Sequence, residues 1–146
     1  MNALTSRLAL CAVAILAMAG SIQPVASGEA QVGADDFRTK GKELRAEIQT
    51  AYQQLKASKP PQPGRDVSAI VTKYIPLGTS FRDAEAILVA AGCSSGVTIH
   101  GHPLYSMHLA SSLAQTVTFS VELGPRPLGD SDAVQEISGN IFYEYL

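Results

Sequence analysis

Apolar side chains recur at three- and four-residue steps through the first half of the chain and at two-residue steps through the second, and this change of period sets the expected architecture. Between Asp35 and Ser58, the residues Phe37, Leu44, Ile48, Ala51, Tyr52 and Leu55 fall on one helical face, while Arg38, Lys42, Glu43, Glu47 and Gln54 take the other positions. The pattern predicts an amphipathic helix within residues 28–58. Asp35 and Asp36 lie near its start and Lys56 and Lys59 at its end, the order of charge that a helix dipole favours. Its stripe is narrow and interrupted by Gly41, so it suits three uses: packing on its own domain, pairing with a second copy, or facing a partner protein. Residues 59–65, opening Lys-Pro-Pro-Gln-Pro-Gly, read as a stiff linker that cannot continue a helix. Such a spacer lets the helix stand clear of the body. On that reading Leu44, Ile48, Tyr52 and Leu55 are the candidate partner-binding residues, and a chain cut before Asp66 stays folded with slightly lowered thermal stability.

A compact domain is expected over residues 66–146. Val67, Ile70, Val71 and Tyr74 satisfy one helical face behind a capping Asp66, although their β-branched content also suits a strand. Pro76 and Gly78 end that segment. Ser80 and Asp83 then have capping-box spacing, Phe81, Ala84, Ile87, Leu88 and Ala91 form an apolar face, and Gly92 stands where a left-handed helix terminus is wanted. Beyond Gly92 the period becomes two. Val97 and Ile99 oppose Thr98, His100 and His102, and Val117, Phe119, Val121 and Leu123 oppose Thr118, Ser120 and Glu122. Phe119 should therefore be buried and Thr118 wet. Ile137, Ile141, Tyr143 and Tyr145 share a face of a last strand, with Ser138, Gly139 and Asn140 making a bulge or a tight turn. The expected class is α+β: an N-terminal amphipathic helix, then two short helices packed on one face of a three- to four-stranded antiparallel sheet.

Ahead of all this, Arg7 precedes an apolar run from Leu8 to Ala19, followed by small residues at Gly20, Ser21, Ala26 and Ser27. Residues 1–27 thus have the layout of a cleaved secretory signal peptide, with a cut after Ala19 or Ser27, and the run is too short to serve as a transmembrane anchor. Leu8, Ala9, Leu10 and Cys11 imitate a lipobox, but Leu10 stands where a small residue is needed, which argues against lipidation. The destination is the periplasm or the exterior of a bacterial cell. A formal charge of −2 with both signs interspersed excludes the basic stripe of a nucleic-acid binder. Loss of Cys11 with the leader leaves Cys93 as a lone cysteine, read as a small buried hydrophobe at a helix end.

Candidate chemistry is sparse. His100 and His102 lie at a two-residue step, so both would share a strand face and reach one Zn²⁺ or Cu²⁺, with His108 arriving from a loop. No carboxylate lies near them in sequence to orient the rings. Cys93 and His100 lack a neighbouring Lys or Arg to activate the thiol, Ser94, Ser95, Ser111 and Ser112 lack a nucleophile-elbow pattern, and no glycine loop precedes a lysine for phosphate. Gly124 to Asp130 reads as a surface loop. No cofactor, catalytic residue or enzymatic activity is expected.

The stretch Tyr74-Ile75-Pro76-Leu77-Gly78-Thr79-Ser80-Phe81-Arg82-Asp83-Ala84-Glu85-Ala86-Ile87-Leu88, closed by Gly92 and followed by strands, resembles the outer-membrane assembly lipoprotein family of the BamE/SmpA type and its β-lactamase-inhibitor-like fold. The matching features are Gly78 before a hydroxyl-capped helix, Leu88 near its end and Gly92 closing it. The family is anchored through a lipidated cysteine, which Leu10 before Cys11 does not support, and the helix of residues 28–58 is additional. The resemblance implies a small protein-binding sheet and carries over no binding residue. The expected function is that of a non-catalytic interaction module of the cell envelope, whose partner is another envelope protein or a second copy met through the N-terminal helix. An envelope inhibitor or immunity-type protein, or a small metal-binding protein using His100, His102 and His108, are the alternatives.

Overall fold

The computed structural model describes residues 28–98, 101–124 and 132–145, so the expected leader, Cys11, His100 and residues 125–131 lie outside the described residues. Helix α1 (Gly28–Ala57) is followed by strand β1 (Gly64–Asp66), helices α2 (Ser68–Tyr74) and α3 (Phe81–Ala91), and strands β2 (Ser94–Val97), β3 (Pro103–Ser111), β4 (Gln115–Gly124) and β5 (Glu136–Tyr145). The fold is α+β, with an antiparallel sheet of order β1-β5-β4-β3-β2 and three helices packed against it. Among the described residues no helix is long and apolar enough to cross a membrane.

Local rules place α3. The Ser80 hydroxyl accepts a hydrogen bond from the Asp83 N–H at 3.1 Å, and Gly92 closes the helix at φ +95°. There the Cys93 and Gly92 N–H groups bond the Leu88 and Val89 carbonyls at 3.0 and 2.9 Å, satisfying the last turn. Asp66, expected to cap α2, lies one residue ahead of the N-cap Val67, and its carboxylate accepts the Ser68 N–H at 2.8 Å. The turn between α2 and α3 is tied to the segment before β5, with the Gly78 N–H donating to the Val134 carbonyl at 2.8 Å.

The sheet has more strands than the pattern suggests. Gly64–Asp66, at the end of the expected linker, pairs with Asn140 to Phe142 as β1. Its three residues carry no apolar alternation, so only backbone pairing with a distant strand reveals it. The expected strand through His102 instead stops at Val97. Beyond it the Gly101 N–H bonds the Thr98 carbonyl at 2.9 Å and Gly101 takes φ +80° where the chain turns back into the next strand. Strand β3 follows, and with it His108 belongs to a strand and not to a loop. Strand β5 runs through Ser138, Gly139 and Asn140 without a break in register, and the irregularity of the sheet lies in β3, between His108 and Ala110. Gly139 answers a different need, since a Cβ there would lie 3.0 Å from Val71 Cγ2. Its bareness lets α2 settle on the sheet.

The alternation in β4 places Val117, Phe119, Val121 and Leu123 in the core together with Tyr105, Met107 and Ile141. Thr118, expected to be wet, is only 5% exposed. It is boxed in across the strands by His108 and Phe142 on the opposite face. Tyr145 shares the parity of Ile141 yet is 78% exposed.

Helix α1 does not stand clear of the body. Leu44 and Ile48 are fully buried, and Tyr52 and Leu55 are 8% and 4% exposed, in one cluster with Val71, Ile87, Leu88 and Phe119. The four candidate partner-binding residues are thus the helix's own contribution to the core, and the projecting-arm expectation is corrected. Gly41, read as an interruption, makes this possible: a Cβ there would lie 2.6 Å from Ala90 Cβ and 2.7 Å from the Ile87 carbonyl oxygen. The two helices meet backbone to backbone. Polar ties surround the contact. Arg45 donates to the Ala91 carbonyl at the C-terminus of α3 at 3.2 Å, and Arg65 of β1 donates to the Gln54 side chain at 2.6 Å. Glu47 accepts from Lys73 and, at 2.7 Å, from the Tyr74 hydroxyl, and the Lys73 bond, followed by that of Tyr74, holds its carboxyl below the usual range.

Substitution of Gly41 by alanine tests this contact. Alanine gains about 1 kcal/mol in intrinsic helix propensity, but forcing the backbones apart costs about 1–3 kcal/mol. The variant is expected to melt several degrees below the wild type by circular dichroism. An increase in melting temperature would show that α1 does not need this approach.

Candidate interaction face

With all three helices on one side, the alternation of the strands leaves the other side of the sheet uncovered by any described element. Leu104, Ser106 and His108 of β3 pair with Glu122, Ser120 and Thr118 of β4, which pair in turn with Ser138, Asn140 and Phe142 of β5. Small hydroxyl and amide side chains occupy its middle. Leu104 and Phe142 are half-buried, and His108, Ser138 and Asn140 are exposed. A pleated surface of this kind is already ordered by its ladder, so little conformational entropy is lost when something lies against it.

At one corner the face dips into a hollow of about 290 Å³ lined by His102, Glu122, Gly124, Glu136 and Ser138. His102 follows the hairpin turn, where its N–H donates to the Thr98 hydroxyl at 3.1 Å, and its Nδ1 lies 2.6 Å from Glu122 Oε1. The carboxylate missing from the local sequence is therefore supplied across the β3–β4 register. Glu122, Glu136 and Ser138 were not singled out by spacing. Glu122 sits twenty positions from His102, and only the Leu104–Glu122 pairing shows that they meet.

The three-histidine metal reading is not met. His102 and His108 are separated by six residues of extended chain, about 20 Å at strand rise, and His100 lies outside the described residues. Among the described residues no group of three His, Cys, Asp or Glu side chains converges as a metal site. His108 approaches the Thr118 hydroxyl, with 3.4 Å between Nδ1 and Oγ1.

A second hollow, of about 240 Å³, lies under the end of α1 between Tyr52, Lys56, Val117 and Tyr143. It belongs to the helical side of the sheet, and its floor is core. Cys93 is likewise buried, and loss of hydration pushes its thiol up to about 11, against a small opposing pull from Arg45. At pH 8 only about 0.1% of such a thiol is thiolate, so alkylation by iodoacetamide should run about a hundredfold slower than for a free cysteine. Mass spectrometry of timed aliquots checks this, and labelling at the free-thiol rate would contradict the burial.

Comparison of the chain with models of known protein families, with curated proteins and with solved structures gives no match.

Proposed function

We propose that the chain is a non-catalytic protein-interaction module of the bacterial cell envelope, exported by its N-terminal leader and binding another envelope protein through the open face of its sheet. The observation that carries this reading is a five-stranded sheet that the described helices cover on one side only, its other side lined by small polar side chains with Leu104 and Phe142 among them. The core is complete without a cover on that side: the large apolar residues of the sheet, Phe119, Val121, Leu123 and Ile141, all point to the helices. Burial of Leu44, Ile48, Tyr52 and Leu55 moves the candidate surface from the leading helix to the sheet. Two helices followed by an antiparallel meander is also the order that the resemblance to the β-lactamase-inhibitor-like fold implies. The leader pattern supports export, and the deeply buried Cys93 supports a non-catalytic role.

A photo-crosslinking amino acid placed at Asn140, on the open face, and separately at Arg82, on α3, tests the reading in cells that export the chain. Adducts to a second protein are expected from position 140 and not from position 82. Adducts from position 82 alone, or none from position 140, would overturn it.

A further inference from the structure

Among the described residues the lysines and arginines are confined to the helical side of the molecule, where carboxylates accompany them. Every lysine and arginine among the described residues lies between Arg38 and Arg82, in α1, the linker, β1, α2 or α3. Strands β2 to β5 hold none, and their only carboxylates, Glu122, Glu136 and Glu144, all carry the parity of the open face. Glu136 pairs with Gly124, two positions from Glu122 on that face, so these two side chains are diagonal neighbours and line the same hollow. His102 bonds Glu122, and among the described residues no lysine or arginine lines the hollow beside the second carboxylate.

From this placement of carboxylates we infer that the open face receives a basic protein surface, with a lysine or arginine side chain of the partner entering the hollow between Glu122 and Glu136. The inference rests on the open face being the interaction surface and specifies what meets it. Several features favour this occupant over others. A metal ion lacks the convergent third ligand among the described residues. An anionic lipid surface would be repelled by the three carboxylates and would meet no lysine or arginine among the described residues on this side. An ammonium or guanidinium group on a long stem fits a hollow of about 290 Å³ that opens onto a flat polar sheet, where the rest of the partner can lie. The helical side of a second copy, where lysines and arginines are nearly balanced by carboxylates, does not offer such a basic surface.

The test uses the purified chain, a ten-residue lysine peptide as probe, and amide chemical shifts as readout. Saturable shifts are expected at Ser120, Glu122 and Ser138, weakening at high salt as exposed charge pairs do. The double variant E122Q/E136Q should bind the peptide about five- to tenfold more weakly, and S138K, which places a cation in the hollow, should lose it to a similar degree. The helix-side control E43Q/E85Q should bind as the wild type does. Undiminished binding by both hollow variants, equal loss in the control, or shifts confined to α1 and α3 would overturn the inference. Adducts formed from position 140 that persist undiminished in E122Q/E136Q would overturn it while leaving the interaction reading in place. Absence of those adducts in the wild type would instead defeat the interaction reading itself.

Discussion

A chain that begins at Asp66 is expected to lose its cooperative unfolding transition. The cut removes Leu44, Ile48, Ala51, Tyr52 and Leu55, all of them buried in the single core. Each large apolar side chain withdrawn from water contributes about 1.5–3 kcal/mol, so their joint loss is comparable to the whole stability of an ordinary domain, about 5–15 kcal/mol. It also bares the faces of α3 and α2 that meet α1 and removes Arg65, which bonds the Ala51 carbonyl and Gln54. Urea titration followed by far-ultraviolet circular dichroism decides the matter. A sigmoidal transition with a midpoint near that of the longer chain would show that α1 is an accessory.

The second large effect is expected at the centre of the sheet. Phe119 is fully buried and lies between Met107 of β3 and Ile141 of β5. Phe119→Ala leaves a cavity in the most enclosed part of the core and should cost about 3–5 kcal/mol. Its neighbour Thr118 points the other way. Thr118 is buried too, but its hydroxyl makes only long contacts, 3.4 Å each to His108 and Glu144. Thr118→Ala should cost about 1 kcal/mol, from one methyl group and two weak polar contacts. Denaturant midpoints of the two variants give the comparison directly, and equal losses would mean that the alternation in β4 is misassigned.

The elements specified by their own residues were legible. Helix α3 begins and ends where Ser80, Asp83 and Gly92 place it, because caps act within a few residues and need no tertiary context. The buried set Val117, Phe119, Val121 and Leu123 of β4 was legible for a similar reason, since these apolar residues recur at every second position, although Thr118 between them is buried too. What depends on pairing was not. Strand β1 is three polar or flexible residues that become a strand only beside β5, and Gly41 looks like a flaw in an amphipathic stripe until Ala90 is seen against it. The candidate face was legible as a wet side of the sheet. Its hollow was not, because the meeting of His102 and Glu122 is a property of register and not of spacing. Strand β3 is the instructive miss: Tyr105 and Met107 alternate with Ser106 and His108, a short signal overlooked beside the histidines.

The place of β5 in the sheet has a consequence for how the chain comes into being. The last described strand lies between β1 and β4, and it also receives the entry to α2, where the Val67 N–H bonds the Gly139 carbonyl at 2.8 Å and the Ser68 hydroxyl accepts from the Gly139 N–H at 2.9 Å. Until residues 136–145 have left the ribosome, β1 has no neighbour and α2 has only α1 to rest on. A nascent chain therefore cannot complete this sheet until β5 has emerged.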